Sequence, residues 1–338
     1  MRESGILITG AAGEIGQALI DILHARGSEQ LLTLDLRPVE GELVTKVSRA
    51  YVGSILDRNL LDTILAEYKV TTVIHLAALL STRSEFTPVV AHEVNVDGTV
   101  NMLEFARGQA QSHGEPVKFF YPSSIAAYGL PDANTKTAEG ALTEDEWNTP
   151  TTMYGCNKLS CEHLGRYYSR HYKQLDAAVR AGGINFRSLR FPGLISAFTT
   201  PSGGTSDYAP EMLHAAAKGR PYDCFVRPDA RIPFMAMPDA VSATLQLLDA
   251  PAEKLTRQVY NLLAFNPSAE EIREIVLSHF PEAQLGFELD PKRMAIVDSW
   301  PAAVDDHAAR EDWGLDPRLG LDRVFTEYLI PGITGREV

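Results

Sequence analysis

Cysteine is scarce: only Cys156, Cys161 and Cys224 occur in 338 residues, and none lies in a CxxC. Three thiols cannot all pair, which argues against a disulfide framework or a cysteine-based zinc site and leaves reduced thiols as the expectation. No apolar run approaches the ~18 residues that a membrane span needs. The chain also has no Asn-x-Ser/Thr sequon, no internal repeat and no low-complexity tract. Met1-Arg2-Glu3-Ser4 leads straight into Gly5-Ile6-Leu7-Ile8-Thr9, so no signal or transit peptide is expected and the cytoplasm is the expected location. Basic residues are in deficit, with 31 Lys and Arg against 44 Asp and Glu, a net charge of −13 and no basic run. A phosphate backbone would repel that surface, so nucleic acid is not an expected partner. No set of His, Cys and Asp has metal-ligand spacing. His75 is therefore expected to be buried or to line a cofactor groove rather than to bind a metal.

What remains is ordinary globular material, 45% apolar and 22% charged, in a chain long enough for about two domains. The first half alternates short apolar runs with segments of helical period, the pattern of βαβ units on a parallel sheet. Strand candidates are Ile6–Thr9, Leu31–Asp35, Ala50–Val52, Thr72–Leu76, Lys118–Tyr121 and Asn185–Arg190. Helices are predicted over Gly16–Arg26, Leu60–Tyr68, Glu93–Arg107 and Tyr154–Tyr172. The second half holds most of the prolines, with helices predicted over Tyr208–Lys218, Asp239–Leu248 and Ser268–His279. The predicted fold is α/β: a doubly wound parallel sheet over residues 1–190 and a smaller, interleaved unit over 191–338. Gln258–Leu263 is expected to return to the main sheet.

The first strand candidate runs into Thr9-Gly10-Ala11-Ala12-Gly13-Glu14-Ile15-Gly16, and a helix follows. Glycines at this spacing permit a tight turn and let a pyrophosphate rest on the helix N-terminus, as in a Rossmann unit. Asp35 closes the second strand, 19 residues beyond Gly16. Its carboxylate would accept hydrogen bonds from adenosine ribose hydroxyls and repel a 2′-phosphate, which points to NAD. Arg37, close by, leaves NADP open.

Tyr154-Gly155-Cys156-Asn157-Lys158 places a phenol and an ammonium on one helix face. A tyrosine of pKa ~10 is a poor base at neutral pH. A positive charge ~4 Å away at an effective dielectric of ~20 is worth about 4 kcal/mol, or roughly three pKa units. Lys158 is thus expected to draw the phenol toward the range of a general acid/base. Upstream, Ser123-Ser124-Ile125-Ala126-Ala127-Tyr128-Gly129 ends a strand where such a sheet holds its ligands, and Ser124 can hold a substrate oxygen beside Tyr154.

Together TGAAGEIG (9–16), HLAA (75–78), Asn95, SSIAAYG (123–129) and YGCNK (154–158) resemble the extended short-chain dehydrogenases/reductases. YPSSIAAYG (121–129), FRSLRFPGLIS (186–196), SGGTSDYA (202–209) and DSWPAAVDDHAAREDWG (298–314) narrow the resemblance to the NAD-dependent L-threonine 3-dehydrogenases of that fold, over about residues 5–330. The resemblance implies that Gly10, Gly13, Glu14, Ile15 and Gly16 hold the pyrophosphate and that Asp35 and Leu36 meet the adenosine ribose. Ser54 and Ile55 would flank the adenine, although the family usually has aspartate where Ser54 stands. Leu76, Ala77 and Ala78 would line the groove, Leu194 would meet the nicotinamide, and Tyr154 and Lys158 would bind its ribose.

For a small amino-acid substrate the resemblance implies Ser81, Ser124, Tyr154, Gly204 and Thr205, with Ser124, Tyr154 and Lys158 catalytic. Ser202 and Ser206 depart from the usual GGGTTDYA, and the stretch between Tyr168 and Phe186 is about ten residues longer than the family pattern. The implied reaction is oxidation of L-threonine to 2-amino-3-oxobutanoate, and the implied assembly is a homodimer through the helices near 93–107 and 154–172. Two rival functions remain: a nucleotide-sugar epimerase or dehydratase with the same cofactor motifs, and a silent NAD-binding regulator. The intact Ser124, Tyr154 and Lys158 set argues against the silent regulator.

Overall fold

A computed structural model describes residues 2–27, 30–176, 183–201 and 204–335. Ser202, Gly203 and positions 177–182 of the long connection, all noted in the sequence, lie outside the described residues.

The first half runs β1 (Ser4–Thr9), α1 (Glu14–Ala25), β2 (Gln30–Asp35), β3 (Arg49–Val52), α2 (Arg58–Glu67) and β4 (Lys69–His75). It continues through α3 (Ser81–Phe86), α4 (Pro88–His92), α5 (Gly98–His113), β5 (Val117–Ser124), α6 (Ala133–Glu139), β6 (Ala141–Leu142), α7 (Met153–Arg170) and β7 (Ile184–Phe191). Then come β8 (Gly193–Ile195), α8 (Tyr208–Ala217), β9 (Tyr222–Cys224), β10 (Phe234–Ala236), α9 (Met237–Asp249) and β11 (Val259–Asn261). After these stand α10 (Ala269–His279), β12 (Leu285–Phe287), α11 (Pro291–Ser299) and β13 (Ala303–Val304).

Seven strands pair in the order β11-β7-β5-β4-β1-β2-β3, and every pairing is parallel. The sequence leaves β1 toward β2 on one side and β4 on the other. The crevice at this switch lies at the carboxyl ends of the strands, where such sheets bind ligands. β5 and β7 are buried on both faces, as a parallel sheet covered by helices requires. Successive residues serve opposite layers: Phe119 packs with Met102, Leu103 and Phe186 beneath α5 and α7, while Phe120 joins Leu19, Ile20, Val241 and Leu248 beneath α1 and α9.

The strand candidates all form, and Gln258–Leu263 supplies β11, whose Tyr260 lies opposite Leu189. The predicted helix over Glu93–Arg107 is longer. It opens with a π turn over Glu93–Asp97 and continues as α5 until Gly114, at φ 80°, takes the left-handed conformation that ends it. Beyond residue 191 a further apolar cluster gathers Tyr208, Phe225, Phe234, Ile272, Val297 and Trp300. It also takes in Ile125 and Tyr128 from the turn after β5, so the strand end bearing Ser124 borders both halves.

β7 carries two arginines in an otherwise uncharged strand. Arg187 Nη1 donates to the carbonyls of Leu247 (2.5 Å), Leu248 (3.1 Å) and Ala250 (2.7 Å). Those oxygens belong to the C-terminal end of α9, where the last carbonyls of a helix need partners from outside it and a cation is favoured.

Candidate active site

Gly10 adopts φ 67° at the tip of β1. A Cβ there would stand 2.6 Å from the Ala77 nitrogen, and one on Gly16 would stand 2.7 Å from the Ala11 carbonyl oxygen. Side chains at either position would fill the turn, so the glycines are what let a ligand lie against the backbone. Gly13 begins α1 and no side chain caps its first turn, which leaves amide donors and the positive end of the helix for an anion. This cradle fits a pyrophosphate.

Asp35, at the tip of β2, accepts hydrogen bonds from Ala12 N to Oδ2 and Arg37 N to Oδ1, both at 3.0 Å. The carboxylate is thereby fixed at the mouth of the glycine turn, and each oxygen keeps a lone pair for a ribose hydroxyl. Leu36 beside it is exposed. Asp35→Ser should narrow the preference for NAD over NADP at least about tenfold, since a like-charge clash with a 2′-phosphate is removed; kcat/KM for the two cofactors measures it. Equal use of both by the unmutated protein would show that Arg37 outweighs Asp35.

The other expected cofactor residues ring the same edge. Ser54 Oγ accepts from Leu56 N at 3.1 Å, and the carbonyl of buried Ile55 accepts from Asn101 Nδ2 at 3.2 Å. Leu76, Ala77 and Ala78 leave β4 partly buried. Ala77 N donates to Thr9 Oγ1 at 3.3 Å, and Leu79 exchanges two hydrogen bonds with the Asn95 amide. His75 is buried between the hydroxyls of Thr9 (2.7 Å) and Thr99 (3.1 Å), and burial with Lys158 nearby lowers its pKa to about 3. Leu194 on β8 pairs with Met235 and packs on the α1/α9 layer. The Glu14 carboxylate accepts from the hydroxyls of Ser196 and Thr199, which leaves its main chain for an anion at the helix start.

Ser124, at the end of β5, favours the ionised form of the Tyr154 phenol. Thr152 sets the start of α7 by accepting from Gly155 N at 3.0 Å. Lys158 Nζ donates to the Pro122 carbonyl at 2.5 Å and lies 5.3 Å from the Tyr154 ring centre and 4.7 Å from that of Tyr121. The arrangement corrects one expectation. The ammonium lies against both rings without lowering the phenol as expected: burial pushes the Tyr154 phenol above its ordinary value, with Ser124 opposing. Burial also draws the Lys158 ammonium down to about 8, against the pull of Cys161 and Glu162.

The expected substrate residues lie on separate elements. Ser81 is half-buried at the first position of α3. Thr205 is buried in the turn leading into α8. Beside it Gly204 N donates to Asp207 Oδ2, and Arg293 Nη2 donates to the Gly204 carbonyl, each at 2.7 Å. Arg293 stacks 3.2 Å from the Phe225 ring centre. Cys156 is exposed, Cys161 and Cys224 are buried, and all are free thiols. Among the described residues no cluster of His, Cys, Asp and Glu could hold a metal, and no helix is long and apolar enough to cross a membrane.

A profile of the NAD-dependent epimerase/dehydratase family matches residues 6–262, from β1 to the end of β11. The chain belongs to this family. It is 36% identical over 325 residues to the mitochondrial L-threonine 3-dehydrogenase of Bos taurus, covering 96% of this chain and 81% of the relative. Its fold matches an L-threonine dehydrogenase from Clostridium difficile with a TM-score of 0.84 and 34% identity, over 99% of both chains. The holo form of an L-threonine dehydrogenase from Cupriavidus necator matches with a TM-score of 0.82 and 35% identity, over 96% of this chain and 99% of that one. As a member of the epimerase/dehydratase family, this protein is an NAD-dependent oxidoreductase.

Two residues of this family member escape sequence reading. Glu162 and Arg190 form an ion pair at 2.7 Å with both side chains fully buried, directly behind the catalytic candidates. Removing one partner of such a pair strands a buried charge, at a cost of about 3–5 kcal/mol. The signal for Glu162 was its place eight residues after Tyr154, on the face that α7 buries. Arg190, inside FRSLRF, offered none without its partner.

Proposed function

We infer that this protein oxidises the β-hydroxyl of L-threonine to 2-amino-3-oxobutanoate. The observation that carries the reading is how far the likeness extends. Similarity to L-threonine dehydrogenases covers 96% to 99% of the chain, beyond residue 262 where the family profile ends and into the half that would hold substrate. In this reading residues 1–190 with β11 serve NAD and the rest mainly serves substrate.

Tyr154 would take the hydroxyl proton, Ser124 would hold the substrate oxygen, and Lys158 would hold the nicotinamide ribose. NAD, when bound, accepts the hydride from the β-carbon. A zwitterion needs donors for its carboxylate and acceptors for its ammonium, which Ser81 and the Gly204–Thr205 turn can supply. A diphosphate-sugar would instead call for unneutralised cations. In the second half Arg227 pairs with Asp298 and Asp229, Arg231 with Glu271, and Arg310 with Asp306, so these three are already neutralised.

An amino-acid panel with NAD, read by NADH absorbance, tests this. L-threonine should react and D-threonine should not. Thr205→Ala should raise the Michaelis constant about fivefold or more, the worth of one hydrogen bond, with kcat little changed. Turnover of a nucleotide-sugar with no NADH from L-threonine would favour the epimerase reading instead.

A further inference from the structure

We propose that Glu162 is a positioning residue for the catalytic pair, holding the end of β5 and the charged state of Lys158 through its buried contacts with Ser123 and Arg190. Its role belongs to the dehydrogenase chemistry inferred above and stands on that reading.

Tyr154, Lys158 and Glu162 are spaced four residues apart on one face of α7. They engage three consecutive residues of β5. Lys158 donates to the Pro122 carbonyl and the Ser123 hydroxyl donates to Glu162 Oε1, both at 2.5 Å, while Ser124 favours the ionised form of the Tyr154 phenol. The helix is thus buttoned to the strand end at each turn, and Glu162 is the innermost fastening.

Arg190 fixes Glu162 in turn. Its Nε donates to Oε1 at 2.9 Å and its Nη2 to Oε2 at 2.7 Å. Arg190 is itself held by the Glu144 carbonyl (3.1 Å) and Asn148 Oδ1 (2.8 Å), with its guanidinium 4.5 Å from the Tyr128 ring centre. Both carboxylate oxygens are engaged, so Glu162 has no rotational freedom. A buried pair is weak ground for stability, because apolar residues of the same volume often serve the core as well. What this pair adds is a carboxylate fixed one turn from Lys158, with the guanidinium on its far side.

The ionisable groups around Lys158 are His75 from β4, Tyr121 from β5, and Tyr154, Cys161 and Glu162 on α7, with Arg190 of β7 beyond Glu162. His75 is neutral with a pKa of about 3, and burial pushes the Tyr121, Tyr154 and Cys161 groups up. Of these groups only Glu162 carries a carboxylate, and it is paired with Arg190. Burial draws Lys158 down to about 8 with Cys161 and Glu162 opposing, so neutralising Glu162 lowers the pH at which the ammonium loses its proton.

The test is Glu162→Gln, which keeps the shape and an acceptor for Ser123. Thermal midpoint, NADH affinity, kcat and KM are measured across pH against the unmutated protein. The variant should fold, with kcat lowered about tenfold or more, L-threonine KM within about twofold, and the alkaline limb of the profile displaced to lower pH. Should the single variant prove too unstable, Glu162→Gln with Arg190→Gln removes both buried charges and should show the same loss and displacement. A folded variant with unchanged kcat and an unmoved limb, altered only in thermal midpoint, would make the pair a purely structural element and overturn the proposal. If the unmutated protein gives no NADH from L-threonine, the substrate reading falls and Glu162 is judged on NADH binding alone. Affinity should then begin to weaken at lower pH in Glu162→Gln than in the unmutated protein, and coincident curves would refute the role.

Discussion

Tyr154→Phe should lower kcat for NAD reduction by about 10²-fold or more and leave NAD affinity within about twofold. The substitution removes one oxygen and keeps the ring that packs beside Lys158, whose ammonium lies 5.3 Å from the ring centre. What disappears is the phenol whose ionised form Ser124 favours, the group placed to take a proton at that strand end. Burial holds this phenol above its ordinary value, so its basic form grows as pH rises, and oxidation by the unmutated protein should climb with pH in its acidic range. Steady-state kinetics with NAD-binding titrations separate the two effects. Near-normal turnover in the variant would remove Tyr154 from the proton-transfer role.

Gly155→Ala should be almost as damaging, although residue 155 touches no reactant. A Cβ there would overlap the Ala126 carbonyl oxygen and stand 2.9 Å from Pro150 Cβ. Both neighbours belong to backbone-bound turns that cannot swing aside like a flexible side chain. The helix must retreat from the turn after β5, carrying Tyr154 away from Ser124. A displacement of about 1 Å can cost 10²-fold in rate, and overpacking adds about 1–3 kcal/mol of destabilisation. Activity should therefore fall about 10²-fold in protein that still folds, with a lower thermal midpoint. Normal kcat in Gly155→Ala would show that the close approach of α7 to the strand end is dispensable.

The first half of the fold was legible because local and global signals agree there. Apolar runs such as Leu31–Asp35 and Lys118–Tyr121 are buried on both faces, and glycine turns punctuate them. The glycine cradle, Asp35 and the Tyr154/Lys158 spacing were legible because each depends on residues near in sequence. What failed to show was tertiary. Spacing places the Lys158 ammonium near Tyr154, but the Pro122 carbonyl draws it over the rings, a contact made across 36 residues. Glu14 sits in a cofactor motif, yet its carboxylate is taken by Ser196 and Thr199, which no local pattern announces. Arg190 in a buried strand reads as a misfit until Glu162 stands opposite it.

The return of β11 to the sheet also bears on how the chain emerges from the ribosome. β7 ends at Phe191, and the strand that covers its outer edge begins only at Val259. At synthesis rates of about 5–20 residues per second, that edge stays open for on the order of 3 to 14 seconds. A parallel strand left open invites pairing with other nascent chains. Until residues 247–250 are made, which is most of that interval, Arg187 has none of its carbonyl partners at Leu247, Leu248 and Ala250, and a charge on an unfinished strand disfavours such pairing. The same guanidinium that later caps α9 thus guards the open edge until α9 is complete.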